Sequence, residues 1–363
     1  MARDPSILIV GAGPTGLTLA LELARRDVAS RIIDRKDGPT PLAKAVGISS
    51  HSLDILEPSD VSARLLANGL KIRGACFHAN GQPLGRIDFS VLPHRYNFLL
   101  SLPQRETETI MAARLAEFGI AVGWRNTLVD LQEASDAATA RIDAPNGQSE
   151  ETFDYVFGAD GAQSVVRHAM AVEFEGYAHR RQWSIADADI DEWPYEPVAA
   201  HAFLHRNGDV GFIIPIGQNR YRAVSNTDDA LARVPGAYQV VRLLRTDRFH
   251  IPARQATRYQ NTRMFLGGDA AHAHSPLGAR GMNLGIEDAA CFARRFAEGT
   301  LTGYTGERWP VGRRWIKLSE RVLSMAQSDS PVLQTFRNAA FRVVGRLPTL
   351  QRPFLKRVAG LKE

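Results

Sequence analysis

The segment that decides the fold is Ile7-Leu8-Ile9-Val10-Gly11-Ala12-Gly13-Pro14-Thr15-Gly16, which continues through an apolar run at 17–26 to Arg31-Ile32-Ile33-Asp34. The four apolar residues predict a short buried strand, the following run a helix, and the last four residues a second strand. Three glycines at this spacing between a strand and a helix are typical of a dinucleotide-binding turn. The sequence therefore predicts an N-terminal β-α-β unit.

Each glycine of this turn has its own predicted role. Gly11 permits the tight turn, Gly13 lets the backbone approach a pyrophosphate, and Gly16 lets the helix pack closely against the strand. The start of the helix, at Pro14 and Thr15, directs free backbone N–H groups at the phosphates. These features predict a binding site for a dinucleotide.

An acid follows the turn at the distance expected for ribose recognition. Asp34 ends the second strand, where its carboxylate can accept hydrogen bonds from ribose hydroxyls, and Arg35 follows as a further cofactor-binding candidate. This pattern alone leaves open whether the dinucleotide is FAD or NAD.

Composition limits the class of protein. Of 363 residues, 44% are hydrophobic and 23% are charged, as in ordinary globular proteins, and the length suggests two domains. Two cysteines without a C-x-x-C pair predict no metal site and no redox-active disulfide, in a reducing cytoplasmic setting. We find neither an apolar run of the ~20 residues that cross a bilayer nor a signal peptide.

Positive charge is concentrated at the C-terminus. Residues 330–363 contain seven basic side chains and one acid, Glu363, so they carry +6 of a chain whose net charge is +5. A nucleic-acid-binding body is therefore not predicted. Arginines in this segment alternate at roughly helical spacing with Phe336, Ala340, Phe341, Val343, Val344 and Leu347. We expect these apolar residues to pack against the nucleotide-binding domain with the arginines in solvent; the alternative is a membrane-surface or partner-binding role.

The remaining pattern predicts a discontinuous α/β fold. Helices are expected at 52–68, 105–118 and 283–297, strands at 72–91 and 264–267, and an antiparallel excursion within 120–156. Residues 176–260 are β-rich with many aromatic residues. We assign 1–71, 97–175 and 262–330 to a Rossmann-like domain, 72–96 and 176–261 to an inserted β-rich domain, and 331–363 to a basic helical segment.

Two later segments carry a family resemblance. The first is Phe157-Gly158-Ala159-Asp160-Gly161-Ala162-Gln163-Ser164-Val165-Val166-Arg167; the second begins Phe265-Leu266-Gly267-Gly268-Asp269-Ala270-Ala271-His272 and continues through Pro276 to Gly281-Met282-Asn283-Leu284-Gly285. With the N-terminal glycine turn, and in the same order, they resemble the three FAD fingerprints of the class A flavoprotein monooxygenases, the p-hydroxybenzoate hydroxylase family. The resemblance covers nearly the whole chain.

The resemblance implies cofactors, partners and a reaction. It implies non-covalent FAD, NADH or NADPH and O2 as co-substrates, and a small aromatic substrate bound by the β-rich domain of a monomer or homodimer. NAD(P)H reduces FAD, O2 adds to form the flavin C4a-hydroperoxide, and a phenolic or polycyclic ring attacks its distal oxygen. The alternative is a non-oxygenating reductase, dehydrogenase or flavin-binding scaffold on the same fold.

The same resemblance assigns residues around the flavin. Asp269, next to Gly268, accepts hydrogen bonds from the ribityl hydroxyls. The backbone of Gly281, Met282 and Asn283 opens a helix whose N-terminal dipole faces the flavin pyrimidine. Pro276 lies against the flavin near the substrate, where it joins the catalytic candidates.

Further residues follow from the resemblance. Gln104 touches the ribityl region, and Lys44 stands where relatives have an arginine near the pyrophosphate. Asp160 holds the loop of the second fingerprint. Arg167 either clamps the same loop or contacts pyrophosphate or nicotinamide, and His272 is expected to be structural.

A predicted hairpin supplies the substrate-side candidates. A two-residue turn at Asn207-Gly208 predicts that Arg206 pairs with Asp209, His205 with Val210, Phe203 with Phe212, and His201 with Ile214, the last three pairs on one face. On that face His201 and His205 are candidate bases for a phenol, and Phe203, Phe212 and Ile214 are candidate substrate contacts. The alternative is a core or dimer-contact face.

Overall fold

The computed structural model describes residues 6–41, 45–276 and 278–361. The predicted pyrophosphate contact Lys44 lies outside these residues. None of the helices in the described ranges is both long and apolar enough to cross a bilayer.

The strands follow one another along the chain as β1 Ile7–Val10, β2 Ser30–Asp34, β3 Gly47–Ile48, β4 Leu70–Ile72, β5 Gly74–Ala79, β6 Gln82–Asp88, β7 Leu99–Ser101, β8 Gly123–Trp124, β9 Thr127–Glu133, β10 Ala138–Ala144, β11 Gly147–Phe153, β12 Tyr155–Gly158, β13 Phe174–Asp191, β14 Ala199–Leu204, β15 Val210–Gly217, β16 Arg220–Ser225, β17 Gln239–Ala256, β18 Met264–Leu266 and β19 His272–Ala273. The α-helices are α1 Pro14–Ala24, α2 Ser50–Leu56, α3 Val61–Asn68, α4 Gln104–Glu117, α5 Val165–Ala169, α6 Gly281–Ala297, α7 Tyr304–Ala326, α8 Pro331–Arg346 and α9 Pro348–Val358. The fold is α/β, as the sequence predicts.

The predicted β-α-β unit is confirmed. β1 pairs in parallel with β2 on one side and with β12 on the other, in a sheet of order β18-β12-β1-β2-β8. β1 is buried along its whole length, and α1 begins at Pro14, where the fixed φ of proline suits the first helical position. The carboxyl ends of these strands therefore meet at the edge where the glycine turn and Asp34 lie.

The helix expected at 52–68 is two helices. α2 ends at Leu56, and a short 3-10 turn over Glu57–Ser59 separates it from α3. Pro58 and the left-handed backbone of Asp60 (φ 62°) interrupt the run, because proline cannot continue a helix and the α-helical ladder needs negative φ.

The β-rich segment forms most of an eight-stranded sheet of order β19-β17-β13-β16-β15-β14-β5-β6. β5 and β6, from the first predicted piece of the β-rich domain, join through the parallel pairing of β5 with β14. β19 continues the sheet at its opposite edge and follows Asp269 by three residues. The sheet is thus connected directly to the third fingerprint.

The predicted hairpin register is wrong by one residue. Ala202 pairs with Phe212 and His201 with Ile213. The backbone N–H of His205 donates to Asp209 O and that of Gly208 to His205 O, so the loop has three residues and ends on Gly208 in the left-handed region (φ 77°). A slip of one residue reverses the face of every partner side chain. Phe212 and Ile214 therefore lie opposite the face of His201, Phe203 and His205.

The C-terminal helices also differ from expectation. In the described part of the chain, α8 packs mainly against the eight-stranded sheet, where it contacts β6 and where Phe341 stacks on Phe77 of β5 at 4.4 Å. Arg337 is buried and Phe336 is 71% exposed, the reverse of the predicted arrangement. The end of α9 reaches the third fingerprint, where Ala359 O accepts a hydrogen bond from His51 N and Val358 O from Arg280.

Candidate active site

The glycine turn is tightly packed at two positions and open at the third. A Cβ at Gly16 would lie 1.8 Å from Gly11 O, and Gly11 itself has φ 106° and touches the backbone of Ala159. Among the described residues, a Cβ at Gly13 would meet only Glu108 Oε1, at 3.9 Å. Gly11 and Gly16 are therefore required by the fold, and Gly13 presents backbone to open space.

Asp34 is bound to the glycine turn. One carboxylate oxygen accepts a hydrogen bond from Ala12 N at 2.8 Å and the other from Lys36 N at 2.9 Å. Asp34 is nearly buried, and Arg35 beside it is exposed. The acid thus fixes the turn as well as lying at the edge where a ribose would bind.

Glu108 is a site residue that the sequence analysis missed. It lies buried on α4 and accepts hydrogen bonds from Gln104 Nε2 and Thr40 N, both at 2.7 Å. Burial raises the pKa of its carboxyl group. Gln104 is therefore oriented by Glu108 beside the open backbone of Gly13. The one available signal was the position of Glu108 one helical turn after Gln104.

Thr15 joins the first and third fingerprints. A Cβ at Gly268 would lie 2.5 Å from Thr15 Oγ1, and one at Gly285 only 2.1 Å from it. This close approach of α1 to α6 requires both glycines. Asp269, which directly follows Gly268, is exposed.

A buried ion-pair network supports the Asp269 segment. Asp288 accepts hydrogen bonds from Gly268 N at 2.9 Å, from His272 Nε2 at 2.7 Å and from Arg308 Nε at 2.6 Å. Burial alone would raise the pKa of Asp288, but Arg308 and His272 hold it below its usual value. His272 thus has a structural environment, in agreement with its expected role.

The start of α6 is fixed by Asn283. Its side-chain oxygen accepts from Ser49 N at 2.8 Å, and its amide donates to Gly47 O at 2.9 Å and to Ala279 O. The first hydrogen bond of the helix runs from Leu284 N to Arg280 O, so the N–H groups of 281–283 precede it. The side chain of Asn283 therefore holds the loop, and the backbone is what this helix end presents to a ligand.

Pro276 and His274 lie shortly before this helix. Pro276 is exposed, and its carbonyl accepts from Ala279 N in the turn that leads to α6. His274, which sequence reasoning missed, has an Nε2 atom with no hydrogen-bond partner among the described residues. Burial lowers the pKa of His274 to about 4, so its ring is neutral at physiological pH.

The second fingerprint is built around Asp160 and Arg167. Asp160 Oδ2 accepts from Val165 N at 2.7 Å, whereas its buried Oδ1 has no partner in the described part of the chain. Arg167 is buried, donates to Ala162 O at 2.7 Å and Ala270 O at 2.9 Å, and lies over the ring of Phe174. These contacts support the loop-clamp role for Arg167.

The described residues fit FAD. A Cβ at Gly281 would meet nothing within 4 Å among them, and the space at Gly13 is nearly as open. Gly13 lies just before the start of α1, and Gly281 is the first residue of α6. Open backbone at two helix N-termini suits the phosphates and the edge of a flavin ring that gains negative charge on reduction. Asp34 and Asp269 supply carboxylates for the two sugar-like parts of the cofactor.

The eight-stranded sheet has two different sides. On one, which we call the helix-facing side, Trp183, Phe212 and Val224 belong to an apolar cluster with Leu323 and Ala326 of α7. On the other, the loop-facing side, Phe203 and Ile213 are covered by the loop residues Trp193, Tyr195, Leu231, Val234 and Tyr238. Arg280 lies in the loop that precedes α6, which we call the flavin loop, and its guanidinium lies over the ring of Trp315 of α7 at 4.8 Å. The helix-facing side and the flavin loop therefore both contact α7.

The two candidate histidines lie on the loop-facing side. His201 Nδ1 is 3.2 Å from His78 Nε2, its own Nε2 is 2.9 Å from Glu196 O, and burial lowers its pKa. His205 Nε2 is 3.2 Å from Arg233 O. His201, His205 and Phe203 are therefore separated by the sheet from Phe212 and Ile214, and the predicted single pocket face that contains all five is wrong.

The helix-facing side contains a charged pair that the sequence analysis missed. Arg222 pairs across the strands with Ile214 and makes a bidentate ion pair with Asp187, with distances of 2.6 and 2.7 Å. The side chains are 5% and 12% exposed. The available signal was one charged residue between two uncharged neighbours in each strand, as in Ala186-Asp187-Ala188 and Tyr221-Arg222-Ala223.

Comparison with known proteins identifies the family. The FAD binding domain family matches residues 4–317. The chain is 31% identical over 361 residues to the 6-methylpretetramide 4-monooxygenase of Streptomyces rimosus, and 30% identical over 344 residues to the pentachlorophenol 4-monooxygenase of Sphingobium chlorophenolicum. These alignments cover 91% and 87% of this chain and 64% of each relative, so the chain spans somewhat less than two thirds of their length.

Solved structures share the fold. The p-nitrophenol 4-monooxygenase of Pseudomonas putida superposes with a TM-score of 0.90 at 20% identity, covering 100% of both chains. The anhydrotetracycline hydroxylase of Streptomyces rimosus superposes with a TM-score of 0.81 at 26% identity, covering 99% of this chain and 77% of that one. The family match over residues 4–317, together with the fit of the glycine turn, the Asp269 segment and the α6 N-terminus to a flavin dinucleotide, shows that the chain belongs to the FAD binding domain family of flavoproteins.

Proposed function

We propose that this chain is an FAD-dependent monooxygenase that hydroxylates a phenolic or polycyclic aromatic substrate. The observation that carries the proposal is the half-buried apolar surface of Phe212, Ile214 and Val224, on the side of the sheet that shares α7 with the flavin loop. Apolar walls with a few fixed polar groups are typical of small-molecule sites.

The overall reaction balances with one cofactor. When bound, FAD would supply the redox chemistry, in which two electrons from NADH or NADPH and one O2 would give one oxygen atom to the ring and one to water. An aromatic C–H becomes C–OH, and the two hydrogens of the water come from NAD(P)H and from solvent.

The residues of the chain bind and orient the cofactor in this proposal. The backbone of Gly13 and the start of α1 hold the pyrophosphate, and Asp34 and Asp269 accept hydrogen bonds from the ribose and ribityl hydroxyls. The N–H groups of 281–283 stabilise negative charge on the reduced ring because they lie at a helix N-terminus.

Other residues form the substrate site. Phe212 and Ile214 contact the aromatic ring and exclude water, Pro276 lines the flavin side, and the Arg222–Asp187 pair orients a polar substituent. The names of the relatives support this substrate class, because they include pentachlorophenol, 6-methylpretetramide and anhydrotetracycline.

The cofactor part is tested with Asp269→Ala. Purified wild-type protein should be yellow and should release FAD on heating. Loss of a charged acceptor for the ribityl hydroxyls costs about 1.5–3 kcal/mol, so the variant should retain much less FAD. Unchanged FAD occupancy would contradict the assigned site.

The reaction is tested by screening phenols, quinones and polyketide aromatics for stimulated NADH or NADPH oxidation, with O2 uptake and product mass measured together. A product heavier by one oxygen atom, with matching O2 uptake, supports hydroxylation. Substrate-dependent NAD(P)H oxidation that proceeds without O2 and reduces the substrate would favour the reductase alternative.

A further inference from the structure

Helix α8 is turned so that its apolar side faces solvent. Residues 333, 336, 340, 343 and 347 recur at helical spacing and form one stripe, and α9 adds exposed apolar residues at 350 and 354. The large side chains of these residues are between 40% and 71% exposed: Leu333 57%, Phe336 71%, Val343 50%, Leu347 46%, Leu350 48% and Phe354 40%. We call these six residues the C-terminal stripe.

Hydrogen bonds on the opposite side fix this orientation. Gln334 is buried and donates to Arg206 O and Ser328 O, both at 2.8 Å. Arg337 is buried and donates to Met325 O and Ala326 O, at the C-terminal end of α7. In α9, Gln351 accepts from Asp88 N at 2.8 Å and donates to Val344 O at 3.0 Å. Rotating α8 to bury the stripe would break these bonds, so the exposure is built into the fold.

Basic side chains border the stripe. Arg342 and Arg346 are exposed along one flank of α8. Beside α9 a cleft is lined by Pro93, Thr349, Arg352, Pro353, Lys356 and Arg357. Exposed apolar residues between arginines whose long side chains can reach outward are typical of helices that lie in a membrane interface.

Charge selects among the surfaces that could cover the stripe. A second copy meeting the same stripe across a two-fold axis would bring together two segments of +6 each, which repel. A surface that is both apolar and negatively charged satisfies the stripe and the basic cleft together, and the headgroup region of an anionic bilayer has both properties.

We propose that the C-terminal stripe and its basic border dock this protein on the surface of anionic phospholipid membranes. Phe336, Val343 and Leu347 insert among the lipid headgroups, and Arg342, Arg346 and the basic cleft contact lipid phosphates. The proposal does not depend on the reaction that the enzyme catalyses.

Vesicle flotation of the FAD-loaded protein tests the proposal. We expect binding to vesicles of phosphatidylcholine and phosphatidylglycerol, weak binding to phosphatidylcholine alone, and release at high salt. Arg342→Gln with Arg346→Gln should lower the partition coefficient roughly thirtyfold, since each basic residue near an anionic surface contributes about fivefold. Phe336→Ser with Val343→Ser should lower it at least roughly tenfold.

Matched controls separate docking from misfolding and from self-association. Val241→Ser with Leu243→Ser changes two side chains of β17 that are 62% and 54% exposed, and it should leave vesicle binding unchanged. All variants should keep wild-type FAD content and melting temperature, because the changed side chains are exposed. Equal partition to both kinds of vesicle, or stripe variants that bind like wild type, would overturn the proposal. So would a dimer in sedimentation velocity that the stripe variant abolishes, since a second copy would then be the occupant.

Discussion

The two sides of the eight-stranded sheet both carry aromatic residues, but their surroundings differ. The loop-facing side holds His78, His201 and Phe203 under Trp193 and Tyr195, with ring centroids 4.6 Å apart for His78 and Phe203. The helix-facing side keeps Phe212 and Ile214 half-buried beside a buried ion pair. The loop-facing side is closed by its own loops and is a core, whereas the helix-facing side keeps partly exposed apolar side chains that a ligand can contact. Aromatic content alone therefore does not locate a substrate site.

The largest expected effect concerns the ion pair on the helix-facing side. Asp187→Ala leaves Arg222 without the carboxylate that accepts two of its hydrogen bonds. Removing one partner of a buried pair costs about 3–5 kcal/mol, so the free energy of unfolding should fall by that amount. Urea denaturation of the holoenzyme measures it. A change under about 1 kcal/mol would show that the pair is effectively solvated.

Replacing one phenylalanine on each side of the sheet distinguishes a core role from a substrate-binding role. Phe203→Ala empties a fully buried site and should destabilise the protein by about 3–5 kcal/mol, with turnover per folded holoenzyme unchanged. Phe212→Ala should cost less stability and should reduce the fraction of oxidised NAD(P)H that yields hydroxylated product. Coupled product analysis and denaturation provide both readouts. The reverse pattern would place the substrate on the loop-facing side.

The histidine pair predicts a pH effect on stability and none on catalysis. Burial, with a contribution from His201, lowers the pKa of His78 from 6.5 to about 4. Between these values the unfolded chain binds a proton that the folded chain does not, so stability is complete above pH 6.5 and falls as the pH drops toward 4. His78→Phe should flatten this decline, measured by melting temperature against pH.

His201→Gln completes this test. The pH profile of hydroxylation should match that of the wild type, because the sheet separates His201 from the helix-facing side. A shifted profile with intact FAD content would restore His201 as a catalytic base.

The smallest expected effect comes from a matched surface pair on the same two strands. Asp189 and Arg220 pair at 2.7 Å, but their side chains are 26% and 46% exposed. Asp189→Asn should leave the free energy of unfolding nearly unchanged, because water screens exposed ion pairs. A loss as large as that of Asp187→Ala would show that strand pairing, and not burial, sets the cost.

The sequence by itself determined the nucleotide-binding half of this protein. Gly11, Gly16 and Asp34 act within one β-α-β unit, where spacing along the chain fixes spacing in space, and the later fingerprints occupy the strand ends that the parallel sheet brings together. Local chemistry was enough there because Gly16 packs on Gly11 and Asp34 accepts a hydrogen bond from Ala12 N within this one unit.

Only the tertiary structure decided the substrate side and the C-terminal helices. A three-residue loop in place of a two-residue one moved Phe212 to the other face of the sheet, and sequence did not distinguish the two turns at Asn207-Gly208. The Arg222–Asp187 pair joins two residues that are 35 positions apart in the sequence. The orientation of α8 depends on carbonyl groups of α7 and of the hairpin loop, which accept hydrogen bonds from Arg337 and Gln334. Hydrophobic periodicity gives a helix its two sides, but the partners that distant segments offer decide which side is buried.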